Sequence, residues 1–368
     1  MIEKLFFSIN RLNNVFWGKI VKSVHSGTNS LSVLRVIVGL FLLFFYSPGY
    51  GWIGNMPQIF YKPPFLSFAI LFNSFPGAAF FQAIDVLLLL CIIFIIFGIK
   101  AKISSIAYCV LSIIALSFQY SFGKIDHNIL LYVMIFCLSF SGWGSQLALF
   151  PDKEVTTNTQ NGSLSVLAFI LCYAFFTAGF NKSLNWINAD FTKSGTALWI
   201  YFNYYITSRT YLLADYIKGM PFYTFKIMDY LGVAFEVCPI LFLLYSRKAW
   251  GTWLVVAALF HLSTLLFLNI AFLTHTVIYL VFVDFSGVYK WINNLLAKKV
   301  YKFAAVALIT ACVVVRLFDI FNFHTSKIVF FADRCTKEIL LLSVVVWVFV
   351  FILLYKNNYR TKNTVAVN

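Results

Sequence analysis

Apolar positions along this chain fall in long, nearly unbroken runs, with charged residues between the runs rather than inside them. The runs lie at about 31–47, 77–99, 103–122, 128–149, 163–181, 227–246, 250–268, 271–289, 303–321 and 339–355. A helix needs about 20 apolar residues to cross a bilayer, and most of these runs come close to that length. They are apolar on every face instead of alternating, which argues against the strands of a membrane β-barrel. The pattern predicts an all-α fold, a polytopic transmembrane helical bundle of about 8–10 spans. Two runs, 250–268 and 271–289, are almost continuous and are expected to turn around Asn269.

The same pattern divides the chain. Residues 1–30 mix charge with short apolar stretches (Phe6, Phe7, Val15, Phe16, Trp17) and read as an amphipathic, cytoplasmic segment along the membrane surface. Residues 31–290 form the main transmembrane domain, 291–355 add C-terminal transmembrane helices, and 356–368 are a polar tail. No early apolar core with a cleavage site suggests a signal peptide. Two connectors are long. The first, 48–76, carries Pro48, Pro57, Pro63, Pro64 and Pro76, and the second, 182–226, is rich in Trp, Tyr and Phe. Both are expected to be interfacial or re-entrant outer loops, since irregular backbone near a bilayer must be covered by protein or face water. No internal repeat is visible, which argues against a secondary transporter.

Composition supports the membrane reading. Hydrophobic residues make up 61% of the chain and charged residues 11%, less than half of what a soluble domain carries. The net charge of +15 comes from basic residues in short connectors, such as Lys100 with Lys102 and Arg247 with Lys248, so a lipid partner is expected and a nucleic-acid partner is not. Their distribution places the N-terminus in the cytoplasm, and ten spans would return the C-terminus to the same side. The seven cysteines form no CxxC pair or Cys/His ligand spacing, and no metal is expected.

A few polar residues stand out against this background, because a charge at mid-membrane costs about 2.5–3.5 kcal/mol. Threading the orientation through the runs puts Asp85, Asp126, His127, Asn128, Lys182, Glu236, His261 and His275 in the outer half of the membrane. Their shared depth points to a polar cavity open to the outside. Three of them also have a simpler reading. Lys182 can snorkel to headgroups, His127 can bond a carbonyl at a helix end, and His261 can bridge two helices.

Three stretches resemble a known family. Phe122 to Tyr132 (FGKIDHNILLY), Phe175 to Lys182 (FFTAGFNK) with Trp186 soon after, and Phe260 to Phe272 (FHLSTLLFLNIAF) look like the HTTM domain, the membrane domain of vitamin K-dependent γ-glutamyl carboxylases. Leu34 to Gly39 (LRVIVG) resembles the family's first span, and the resemblance covers roughly residues 30–290. It implies that Lys182 is the base toward a reduced, vitamin K-like quinone and that His127 polarises it. Asp126, Asn128, Asp85, Glu236, His261 and His275 would support them, with O2 and CO2 as co-substrates. A lysine among Phe175, Phe176 and Phe180 is expected to lose hydration, which favours its neutral, base-competent form.

Two departures shape this expectation. The large β-rich region that follows the membrane domain in full carboxylases has no counterpart here, and Asn181 precedes Lys182 where the carboxylases tend to have a second lysine. The chain thus resembles stand-alone bacterial members that mature secreted toxin peptides, which implies a bacterial cytoplasmic membrane and a peptide substrate or a partner membrane or secreted protein. Two alternatives stay open. One is a non-catalytic membrane partner for maturation, export or immunity of a hydrophobic toxin peptide. The other is a small-solute transporter, against which the nearly uncharged inner halves of the runs argue.

Overall fold

The computed structural model describes residues 2–46, 49–123, 128–321 and 337–365. Among them lie fifteen α-helices and no strand, so the fold is all-α, as the runs predict. In chain order the helices are α1 (Ile2–Val24), α2 (Thr28–Phe44), α3 (Ala78–Phe97), α4 (Ala101–Gln119), α5 (Ile129–Ser139), α6 (Thr157–Trp186), α7 (Gly195–Tyr201) and α8 (Ala214–Lys218). They continue with α9 (Phe222–Val237), α10 (Pro239–Tyr245), α11 (Arg247–Leu268), α12 (Leu273–Leu280), α13 (Ser286–Leu296), α14 (Lys299–Ile320) and α15 (Lys337–Val365).

Among the described residues, six helices are long and apolar enough to cross a membrane: α3, α4 with its 3-10 extension to Phe122, α6, α11, α14 and α15 up to Tyr359. Two bent pairs, α1 from Asn10 with α2 and α9 with α10, raise the number to eight if each is one span. That upper count meets the lower end of the sequence expectation. Two runs read as spans are broken instead. The run at 128–149 is helical only over α5, because the Ser139 and Ser141 hydroxyls bond back to the Phe136 and Leu138 carbonyls and Gly142 turns at φ +76°. Eleven residues rise about 16 Å, half of a hydrocarbon core of about 30 Å. The run at 271–289 yields the eight-residue α12, and α13 then starts where the Asp284 carboxylate accepts from the Ser286 amide at 2.9 Å.

The chain divides into two compact units. One comprises residues 26–163 and 284–333. Within it, Arg35 of α2 is fully buried and donates to the carbonyls of Ile95 and Ile96 at the end of α3 and of Trp143, Gln146 and Leu147, at 2.6–3.2 Å. A cation on carbonyls at a helix C-terminus is favoured by the helix dipole. Gly98 ends α3 in the left-handed conformation, φ +66°, where a Cβ would meet the Arg35 guanidinium at 2.5 Å. The proline-rich segment forms short 3-10 turns packed on a cluster of Ile53, Ala69, Phe75, Phe81 and Phe118.

The other unit comprises residues 1–25, 164–283 and 334–368. Here α9 and α10 meet at a 46° bend, placed by Pro239, whose ring cannot continue the α9 ladder. Asn269 stops α11 in the left-handed conformation, φ 53°. Its amide accepts from the Tyr211 N–H at 2.9 Å and donates to the Tyr211 carbonyl at 3.0 Å. The turn read from the sequence at Asn269 is therefore present, and it also anchors the aromatic connector.

Candidate functional site

The second unit brings together four of the polar residues singled out by sequence. Lys182 lies four residues before the end of α6, and its Nζ is 2.5 Å from Glu236 Oε1 near the end of α9. The Glu236 side chain is 4% exposed and that of Lys182 30%. Gly179 makes the approach possible, since a Cβ there would lie 2.7 Å from Glu236 Cβ. Lys182 Nζ also sits 5.3 Å from the centre of the Trp186 ring, one turn on, a cation–π contact.

The aromatic surroundings differ from the expectation. Only Phe175 is buried, while Phe176 and Phe180 stack on each other and are 40% and 50% exposed. Lys182 is thus not enclosed by three phenylalanines; its neighbours are a carboxylate and an indole.

Behind the pair lies an aromatic wall. Phe175 meets the Phe235 ring edge-on at 5.7 Å and the Trp253 ring at 4.9 Å, and it lies 6.0 Å from the His261 ring. His261 is buried on α11, with its ring centre 4.8 Å from that of His275 on α12 and 5.3 Å from Trp347 on α15. Trp347 donates to the Ala271 carbonyl at 2.6 Å. Tyr279 lies 5.8 Å from His261 and within electrostatic reach of Glu236. Among the described residues, Glu236 Oε2, the Tyr279 hydroxyl and the Trp253 indole N–H are buried here without a hydrogen-bond partner. Groups of that kind ordinarily have a partner from protein, water or ligand.

The remaining candidates lie elsewhere. Asp126 and His127 fall outside the described residues. Asp85 and Asn128 belong to the first unit. The Asp85 carboxylate accepts from the Tyr50 and Gly51 amides at 2.8–3.1 Å, so its partners are backbone groups of the proline-rich connector. Asn128 stands at the start of α5, where its carbonyl accepts from Leu131.

Two residues escaped the sequence reading, Lys226 just before the run at 227–246 and Asp229 near its start. Lys226 is 1% exposed, and its ammonium donates to the Trp186 carbonyl, Asn188 Oδ1 and the Lys193 carbonyl at 3.0–3.1 Å. It thereby caps the C-terminus of α6, which carries Lys182. Asp229 is fully buried and accepts from the Gly195 and Thr196 amides at 3.2 and 2.8 Å, at the start of α7. Lys226, Asp229, Val233 and Glu236 are spaced by three, four and three, one face of a helix. That spacing was the available signal.

The connector between α6 and α9 has its own polar clamps. Hydrogen bonds from the Thr192 hydroxyl and amide, with Lys193 beside them, hold the Asp190 carboxyl down to about 2. Lys218 and the Tyr204 hydroxyl lower Asp215, which in turn raises Lys218. Leu198, Trp199, Phe202, Tyr205, Ile206 and Tyr216 remain exposed on this connector.

Fold and hydropathy together define an all-α integral membrane protein with a polar pair set against an aromatic wall. Comparison with protein-family models, curated proteins and solved structures gives no match to the chain.

Proposed function

We propose that this protein is a membrane-embedded, carboxylase-like enzyme of the HTTM type that modifies or matures a peptide at the outer membrane face with the help of a lipid-soluble quinol. The observation that carries the reading is the Lys182–Glu236 contact, with the second Glu236 oxygen buried and unpartnered. The ion pair is net neutral, and a proton passed from Nζ to Oε1 along this contact leaves it net neutral too. The amine is then a competent base, and the pair never carries net charge into lipid.

The residues present suit a reduced quinone. A planar aromatic diol needs ring surfaces and polar partners for two hydroxyls. Phe175, Tyr279 and Trp347 offer the first, and Glu236 Oε2 with the Tyr279 hydroxyl offers the second, while Trp253 already stacks on Phe235 and Trp250. When bound, a quinol would supply, in reaction with O2, the strong base that removes a proton from the peptide, and the peptide carbanion so formed would add to CO2 to give the new carboxylate. Lys182 would take the quinol proton, and Glu236 would hold Lys182 in place and relay that proton. The test supplies purified protein with candidate peptides, a reduced naphthoquinone and labelled CO2. Label in peptide and quinol consumption are expected, and the absence of both overturns the reading.

A second reading, a non-catalytic partner of a hydrophobic toxin peptide, is favoured by the exposed aromatic residues between Leu198 and Tyr216. It expects Lys182→Ala to leave peptide maturation intact while polar substitutions at Trp199 and Tyr205 abolish it.

A further inference from the structure

A second polar cleft lies where the end of α1, the start of α11 and the last turns of α15 meet. It is a small, open-mouthed cleft built by residues that include Ser23, His25, Arg247, Trp250, Asn357 and Asn358. None of its lining residues is a carboxylate. The cleft shares no residue with the Lys182–Glu236 site, and nothing in the proposed function uses it.

Its chemistry is that of an anion receptor. Arg247 supplies a guanidinium fork at the first position of α11, a 22-residue helix whose N-cap is Ser246. The N-terminus of such a helix carries roughly half a positive charge and free N–H groups. Trp250 lines the same cleft, is 1% exposed, and its indole N–H has no acceptor among the described residues. The ring is fixed in place, stacked on Trp253 at 5.1 Å and meeting Phe282 edge-on at 5.3 Å. The α15 wall is equally set. Asn357 donates to the Phe282 carbonyl at 3.1 Å, and a Cβ on Gly251 would lie 2.6 Å from Asn358 Oδ1. The cleft groups thus come from three separate elements, α1, α11 and α15. Lys22 and Lys248 add positive charge close by in sequence.

We propose that this cleft binds a phosphate oxyanion, the group carried by an anionic phospholipid headgroup or by free phosphate. α11 and α15 are both long and apolar enough to cross a membrane, and the cleft lies near one end of each, where a headgroup would be met.

The experiment uses the full chain in a neutral detergent. Thermal unfolding and tryptophan fluorescence are followed while inorganic phosphate, short-chain phosphatidylglycerol, short-chain phosphatidylcholine or chloride is added. A saturable rise in the unfolding midpoint is expected with phosphatidylglycerol, and chloride at equal ionic strength should not reproduce it. Saturation by inorganic phosphate as well identifies the phosphate group alone as the ligand, whereas saturation by phosphatidylglycerol alone identifies the lipid headgroup. Arg247→Gln should weaken half-saturation roughly tenfold, the scale of one charge-assisted hydrogen bond. Trp250→Phe keeps the ring stack and loses the donor, and should weaken it about threefold to tenfold. No saturable effect from either phosphate source overturns the proposal, as does wild-type affinity in both variants.

Discussion

Lys182 Nζ stands 2.5 Å from Glu236 Oε1, and the two residues are 54 positions apart in sequence. The contact joins α6 to α9 and depends on Gly179, one turn before Lys182, where the helices touch. A half-exposed ammonium beside a buried carboxylate leaves the carboxylate exposed to the larger loss if the pair is broken. Lys182→Ala is therefore expected to cost about 1–3 kcal/mol, less than the 3–5 of a fully buried pair because Lys182 reaches solvent. The double variant Lys182→Met with Glu236→Leu should recover most of that loss. Chemical unfolding in detergent across the double-mutant cycle checks it, and additive losses would contradict a direct pair.

Gly179 has a steric role. An alanine methyl would sit 2.7 Å from Glu236 Cβ and 3.1 Å from the Glu236 carbonyl carbon. Overpacking of this kind costs about 1–3 kcal/mol, and here it also pushes α6 away from α9. Gly179→Ala should lower stability and loosen the ion pair together, whereas Gly232→Ala, with nothing near its Cβ, should do neither. Thermal midpoints of the two variants provide the comparison.

Lys226 holds the end of α6 through three oxygen atoms. Lys226→Met keeps most of the side-chain volume but leaves those acceptors without their donor, at a cost of about 1–3 kcal/mol. The expected signature is faster amide exchange from Trp186 to Thr196, including the Gly195 and Thr196 amides bound by Asp229, with the first unit unchanged.

Acid should release the Asp190 clamp late. Its carboxyl is lowered by Thr192 and Lys193 to about 2, below an unfolded value of about 3.9. A depressed carboxyl stabilises the fold above the unfolded value, and that contribution fades as pH falls from about 4 through about 2. The Thr192 amide resonance should titrate with a midpoint near 2, and a midpoint near 4 would show that the turn is not formed.

The sequence made the fold class legible because unbroken apolar runs have few other stable homes. It also placed the turn at Asn269, since an isolated amide between two apolar runs needs backbone partners. Helix interruption was harder to read. The hydropathy of 128–149 and 271–289 is that of a span, yet the serine hydroxyls near Gly142 end α5 early and the stretch 281–285 separates α12 from α13. Lys182 and Glu236 were both visible as costly residues, but contact between them is set by a glycine at a helix crossing, which no run of hydropathy encodes. Asp85 was equally visible, and its backbone partners at Tyr50 and Gly51 depend on how the proline-rich connector folds back. Lys226 was hidden by a span boundary set a few residues too late, and Asp229, inside the run, takes its partners from the Gly195 and Thr196 amides of the connector, which hydropathy does not show.

The most direct test of the account follows peptide carboxylation and quinol consumption in wild type, Lys182→Ala and Glu236→Gln, each reconstituted with candidate peptide, reduced naphthoquinone, O2 and labelled CO2. Wild type should incorporate label and consume quinol, Lys182→Ala should do neither at a measurable rate, and Glu236→Gln should be slowed by about 10²–10⁴-fold, the range of a lost proton-transfer partner. Peptide modification that persists at the wild-type rate in Lys182→Ala would contradict the assignment of the pair as the proton-handling centre.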